Sequence, residues 1–200
     1  MISCMRTRGV GVLGLAVSLS MACDPLEDDP DADTGGVVDG GDAPGDGGDE
    51  SGTGGGGSSD PFGAAAAHNA VRQSVSPAAD PPLPDLTWGD DLAAVAQTVA
   101  DTCVFEHSNG DFGENLYAGT GTPTIQDAVD AWASEVADYD YASNGCSGVC
   151  GHYTQIVWRD TTRVGCAFAD CDTLVGAGFG GRYWVCEYDP PGNFIGEKPY

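Results

Sequence analysis

The sequence predicts an α+β fold for residues 61–200, with helices packed on a small antiparallel sheet and stapled by disulfides. Three observations carry that reading: apolar stripes at helical spacing in the first half, runs of Val, Ile, Tyr, Trp and Phe in the last third, and six cysteines. Residues 64–75 are rich in Ala and meet no breaker before Pro77, which predicts a first helix. Asp90 or Asp91 suits the N-cap of a second, whose Leu92, Val95, Ala96, Val99 and Cys103 share one apolar face. Ile125, Ala128, Val129, Trp132, Ala133 and Val136 trace the stripe of a third, with Pro123 near its start. Glu135 lies at the edge of that stripe, where its carboxylate can point along the buried seam. Strands are predicted over 153–158, 163–168 and 182–188, separated by Asp160-Thr161-Thr162 and by a Gly-rich hairpin loop over 176–181.

The 200 residues leave room for one ordinary domain, and the charge shows where it lies. With 31 Asp and Glu against 7 Lys and Arg, the net charge is −24, which repels polyanions and anionic lipid surfaces and excludes nucleic acid as a partner. From Asp24 to Asp60 run twelve carboxylates with no Lys or Arg, and the stretch includes Gly54-Gly55-Gly56-Gly57-Ser58-Ser59. It has almost nothing apolar to bury and cannot offset the entropy of ordering its backbone, so residues 23–60 are read as a disordered acidic linker. Residues 1–22 carry Arg6 and Arg8, an apolar run from Val10 to Leu19, and small residues at Ser20 and Ala22. That is the pattern of a secretory signal peptide, with an apolar run too short to span a bilayer. Leu19-Ser20-Met21-Ala22-Cys23 resembles a bacterial lipobox, which would make Cys23 the lipidated first residue of the mature chain. The expected address is the cell envelope or the extracellular side, with the membrane met only through that anchor.

Cys4 leaves with the signal and Cys23 takes the lipid, so Cys103, Cys146, Cys150, Cys166, Cys171 and Cys186 remain. In an exported domain these six read as three disulfides, and their spacing alone leaves the pairing open. A zinc reading of Cys146 and Cys150 has little to carry it, since C-x3-C lacks a second close pair. His107 follows the second helix, Glu114 stands in Gly113-Glu114-Asn115-Leu116, Glu135 flanks the third helix, and His152 opens the first predicted strand. Two imidazoles and two carboxylates suit one cation. Yet no HExxH or other short ligand pair is present, and scattered solvated side chains account for the same residues.

His68-Asn69-x-x-Arg72, His107-Ser108, Gly113-Glu114-Asn115-Leu116, Gly151-His152-Tyr153-Thr154-Gln155-Ile156-Val157-Trp158 and Cys186-Glu187-Tyr188-Asp189-Pro190-Pro191-Gly192-Asn193 resemble, in that order, the signature motifs of the CAP superfamily. That group takes in cysteine-rich secretory proteins, antigen 5 and pathogenesis-related protein 1. The resemblance covers residues 62–200, and the motif from Gly151 together with Ile195-Gly196-Glu197-Lys198-Pro199-Tyr200 is most similar to the plant branch. It implies a three-layer α-β-α sandwich, a metal-binding tetrad at His107, Glu114, Glu135 and His152, and the pairings Cys103–Cys171, Cys166–Cys186 and Cys146–Cys150. His68 takes a structural part in the first helix. Glu187 departs from the pattern, standing where plant members carry Asn, and is expected to lie clear of the tetrad. So is the Pro-rich segment 77–84.

Zinc or another divalent cation is expected to bind weakly through neutral His107 and His152, with Glu114 and Glu135 holding a water. The function the resemblance implies is a monomeric, exported module that binds a lipid, sterol or other small apolar ligand. Tyr117, Trp132, Tyr139, Tyr141 and Tyr153 are candidates for its cleft wall. Core packing is the preferred reading of Trp132 and Trp158, and exposure that of Tyr139 and Tyr141. One alternative is a metal-dependent hydrolase using a tetrad-bound water, although Ser108 beside His107 makes no triad. The other is a non-catalytic interaction module for an extracellular protein, and no catalytic residue is assigned.

Overall fold

The computed structural model describes residues 60–200. The signal peptide of residues 1–22, the lipid at Cys23 and the linker as far as residue 59 lie outside the described residues. In chain order the elements are α1 (Ala64–Arg72), β1 (Thr87–Trp88), α2 (Asp90–Ala100), β2 (Gly113–Gly119), α3 (Ile125–Ser134) continued by a 3-10 turn (Glu135–Asp138), β3 (Tyr139–Asp140), β4 (Gly145–Cys146), α4 (Gly151–Ile156), β5 (Arg163–Leu174) and β6 (Phe179–Asp189). Four strands form one sheet in the order β1-β5-β6-β2, and β3 pairs with β4 in a separate ribbon. Strands β5 and β6 are antiparallel, as expected; β2, a strand the sequence did not predict, pairs antiparallel with β6, and β1 joins the other edge in parallel. Two residues leave no alternation to read in a sequence.

Alternation along the long strands divides the core in two. Val164, Cys166, Trp184, Cys186 and Tyr188 meet Ala67 of α1, Val129 and Trp132 of α3 and Ile156 of α4. Ala167, Cys171, Tyr183 and Val185 face the other way, onto Ala96 and Ala100 of α2. Helices therefore cover both faces of the sheet, and the architecture is a three-layer sandwich. Helix α2 comes so near that a Cβ on Gly165 would stand 2.3 Å from the Ala93 nitrogen, a close approach only glycine allows. The disulfides are those the resemblance implied. Cys166–Cys186 joins directly opposed residues of β5 and β6, Cys103–Cys171 ties the segment after α2 to β5, and Cys146–Cys150 closes a short loop before α4.

The polar residues of α1 knit the layers together. Asn69 brackets Leu86, donating to its carbonyl at 3.0 Å and accepting from its N–H at 2.7 Å. Arg72 is 1% exposed and donates to the carbonyls of Pro84, Ile156, Trp158 and Thr161. Burial pulls its pKa down to about 10, which leaves the guanidinium charged at neutral pH. His68 Nδ1 lies 2.7 Å from the Ala64 carbonyl, which can only accept, so that nitrogen carries the proton. Nε2 then accepts from the Tyr188 hydroxyl at 2.7 Å. Burial lowers the His68 pKa to about 4 and the ring stays neutral, the structural part expected of it.

Several boundaries differ from the expectation. The first helix stops at Arg72 instead of residue 75, and the second is capped by Gly89, with Asp90 and Asp91 in the first turn where the helix dipole favours them. Cys103 lies beyond the end of α2 with φ 51°, while Val95 and Val136 are exposed. Thr124 caps α3 through a reciprocal bond with Asp127. The strand predicted over 153–158 is mostly helix α4, so His152 opens a helix and not a strand. Its Tyr, Thr and Ile suggest a strand, but Tyr153, Ile156 and Val157 are buried at helical spacing. The carboxylate of Glu135, distant in sequence, caps the new helix by accepting from the N–H groups of His152 and Tyr153. Tertiary capping overrode local propensity.

Replacing Arg72 by Ala takes the side-chain donor from the carbonyls of Pro84, Ile156 and Thr161 and leaves that of Trp158 only the Thr161 N–H. The expected loss is about 3–5 kcal/mol of unfolding free energy, measured by urea denaturation with the disulfides intact.

Candidate functional site

The four candidate ligands form two bonded pairs. His107 Nδ1 lies 2.7 Å from Glu114 Oε1, which also accepts from the Ser108 N–H at 3.0 Å. Burial raises the pKa of Glu114, but the bonds from His107 and Ser108 outweigh it and hold the carboxyl below its ordinary range. His152 Nδ1 lies 2.5 Å from Glu135 Oε1, and Oε2 takes the N–H groups of His152 at 2.9 Å and Tyr153 at 3.2 Å. The His152 ring stacks on Trp132, with centroids 6.1 Å apart and planes 17° from parallel. Glu135 thus spans the junction of α3 and α4, pointing along the seam as its place on the stripe suggested.

A cleft of about 290 Å³ opens on the first pair. His107, Gly113, Glu114 and Gln155 are among its polar lining, and Phe112, Pro191, Phe194 and Ile195 supply apolar walls. Gln155 fills the space beside Gly113, where a Cβ would meet its Oε1 at 2.3 Å. It accepts from the Gly192 N–H at 2.9 Å and donates to the Thr161 hydroxyl at 3.2 Å, which ties α4 to the segment after β6. Glu135 and His152 are not part of this lining.

None of the five aromatics expected at a cleft wall lines this one. Trp132 and Tyr153 are core, as is Trp158. Tyr139 and Tyr141 are half-buried instead of exposed, and Tyr141 stacks on Tyr200 and donates to its backbone oxygen. Phe112 and Phe194 take their place. Neither falls in a periodic segment, and the turn residues Pro190-Pro191-Gly192-Asn193 were the only signal that the chain doubles back here.

A carboxylate holds Nδ1 of each imidazole and leaves Nε2 as the outward donor, the arrangement that orients a metal-ligating histidine. Among the described residues, no three His, Cys, Asp or Glu side chains are gathered as a metal-holding group. The donor chemistry suits a cation at an imidazole with water completing its shell. It does not make a closed four-ligand structural site.

The family model for CAP, the cysteine-rich secretory protein family, matches residues 65–188. The chain belongs to the CAP family. Pathogenesis-related protein 1 of Arabidopsis thaliana is 42% identical over 137 residues, covering 66% of this chain and 78% of that protein. Pathogenesis-related protein 1A of Nicotiana tabacum is 45% identical over 141 residues, covering 67% and 77%. Among solved structures, Schistosoma mansoni venom allergen-like protein 4 is similar at a TM-score of 0.56 and 28% identity, covering 68% of this chain and 90% of that one. NaASP2, solved with Zn2+, also reaches 0.56, at 25% identity, covering 74% and 90%.

Glu187 lies elsewhere than expected. It does not lie clear of the tetrad, because the β2–β6 register sets it directly opposite Glu114, on the α2 face of the sheet. It is 2% exposed, and burial first, then the charge of Glu114, pushes its pKa up to about 8. Neither Glu187 Oε1 nor Glu114 Oε2 meets a donor from any other residue, and a hydrogen bond between the two carboxyls, which needs the proton on Glu187, adds to the upward shift. Facing depends on strand register, and the short segment Gly113-Glu114-Asn115-Leu116 gives no sign in sequence of its pairing with β6.

Folded Glu187 keeps its proton to about pH 8, whereas the unfolded chain releases it near its ordinary value of 4.5. The associated stability is complete below that ordinary value and is lost as pH rises through the folded pKa. Glu187→Gln keeps the shape and removes the ionisation. Its melting temperature should exceed that of the wild type by roughly 5 °C at about pH 9 and match it at about pH 5, measured by scanning calorimetry.

Proposed function

We propose that this chain is an exported, lipid-anchored, monomeric CAP domain whose cleft beside His107 and Glu114 binds a small apolar molecule of the lipid or sterol class. The cleft carries the reading: about 290 Å³, with Phe112, Pro191, Phe194 and Ile195 around a few convergent polar groups, the make-up of a small-molecule site. Ile195 is 93% exposed at its rim, an apolar side chain that a ligand would cover. Disulfides brace the sheet behind it, which limits the ordering cost of binding. Export is supported by the six paired cysteines and by the secretory family to which the chain belongs. A serine-nucleophile hydrolase has no support here, since the Ser108 hydroxyl accepts from the Gly110 N–H at 3.3 Å and no imidazole bonds to it.

The reading includes a weak zinc role for His107 and His152 through Nε2, each ring oriented by its glutamate. NaASP2, similar in fold, was solved with Zn2+. Bound there, the ion would supply a Lewis acid for a polar group of the ligand.

Displacement of a fluorescent sterol and of a fluorescent fatty alcohol tests the cleft. Phe194→Asp should bind at least about tenfold more weakly than the wild type. Equal binding by the two proteins, or none by either, would sink the cleft assignment. In zinc calorimetry His107→Ala and His152→Ala should each lose about tenfold or more in affinity, and equal heats in all three proteins would remove the metal role.

A further inference from the structure

We propose that the Cys146–Cys150 disulfide is a site of thiol–disulfide exchange, attacked at Cys146 by a thiol carried on a small cationic molecule. It lies outside the cleft and rests on neither the apolar ligand nor zinc. Exchange begins when a thiolate reaches a disulfide sulfur, so access decides which bond reacts. Cys166 and Cys186 are buried on the two central strands of the sheet. Cys171 is buried too, and half-buried Cys103 packs against the same core. Among the described residues, Cys146 is the one bonded cysteine that is exposed, together with Ser147, Gly148 and Val149 after it, while its partner Cys150 is buried. The bond has one open end and one closed end.

Cys146 stands on β4 opposite Tyr139 and lines an open pocket of about 370 Å³ on the β3–β4 ribbon. Asp138 and Asp140 line it as well, and no Lys or Arg does. Asp138 is held against the disulfide loop: its carbonyl accepts from the Ser147 N–H at 2.9 Å, and a Cβ on Gly148 would meet its Oδ2 at 2.2 Å. Lys198 is turned onto the Ala142 carbonyl at 3.2 Å and over the Tyr141 ring. Such an acidic mouth attracts a cationic thiol and repels an anionic one, and salt screens the difference. The attacking sulfur bonds to Cys146 Sγ, the bond to Cys150 breaks, and Cys150 leaves as a thiolate that takes up the proton the attacking thiol lost. A second thiol then displaces Cys146 and carries the adduct away, so two thiols are oxidised to one disulfide and the protein gains two electrons. The fold survives opening. Helix α4 keeps its cap from Glu135, and the Cys150 carbonyl still accepts from the Thr154 N–H at 2.9 Å.

Full-length oxidised protein is exposed at about pH 8 to cysteamine or to mercaptoethanesulfonate, quenched with acid, alkylated and peptide-mapped by mass spectrometry. The Cys146–Cys150 bond should open at least about tenfold faster than either other disulfide, with the far-UV circular dichroism unchanged. With limiting cysteamine the adduct should sit on Cys146 and the alkyl group on Cys150. Dividing each rate by that thiol's rate on a neutral model disulfide removes differences in thiol reactivity. The scaled rate should be several-fold higher for cysteamine at low salt, and the two should converge at about 0.5 M salt. Asp138→Asn should narrow the preference, whereas Asp101→Asn, just past the end of α2, should leave it unchanged. The site is overturned if another bond opens first, if all three open together with loss of the helical signal, or if the adduct falls on Cys150. The cationic class is overturned by scaled rates that are equal at low salt, or by equal narrowing in the two variants.

Discussion

A guanidinium cut off from water and satisfied by four backbone carbonyls holds this domain together. Arg72 closes the loop that follows α1 and fixes the C-terminal end of α4 and the turn before β5. None of those segments has enough regular structure to hold its own place. Helix α4 spans only six residues, below the length at which a helix sustains itself, so its shape comes from outside: Arg72 at one end and Glu135 at the other. The charge costs desolvation, and the carbonyls would cost as much unpaired. Each is tolerable only because the other is there.

Strand β2 turns that scaffold into a site. Successive residues point to opposite faces, so Glu114 looks toward the α2 layer and Asn115 toward α1 and α4. Asn115 donates to the His152 carbonyl at 3.1 Å and to the Tyr188 hydroxyl at 3.0 Å, which in turn donates to His68. A buried chain of polar groups thus runs from the first helix, through the sheet, to the residue that carries the second imidazole. The first imidazole has no comparable support. His107 lies on a loop and is held by Glu114 alone. His152 is thus tied into the frame, whereas His107 stands on a loop and lines the open cleft.

What could be read from the sequence followed from periodicity and from motif order, and what could not depended on register and on distant caps. The stripe from Ile125 to Trp132 gave α3, and the β-rich runs gave β5 and β6, because each signal is local. The motifs placed His107 beside Glu114 and His152 beside Glu135 in role, but not as two separate bonded pairs. Helix α4 was hidden because its cap is a side chain sixteen residues before its first residue, and no local propensity records that. Glu187 was hidden for a related reason. Its neighbour is set by the pairing of β2 with β6, and a one-residue slip would have sent it to the other face. Phe112 and Phe194 lie in irregular segments, where sequence carries no facing information at all.

Fold and site are separable at some of these residues and fused at others. Glu135 does two jobs with one carboxylate, orienting His152 through Oε1 and capping α4 through Oε2. Any variant there alters the helix that carries the imidazole, so lost binding would not reveal which job mattered. Glu114 orients His107 through Oε1, while Oε2 faces only Glu187 and the space beside it. A chain that keeps two acids opposed in its interior, with all its described cations engaged elsewhere, holds a proton between them at neutral pH. The residue that carries that proton is Glu187. Its substitution is therefore the cleanest way to change the electrostatics behind the cleft while leaving the His107 bond and the cap of α4 in place.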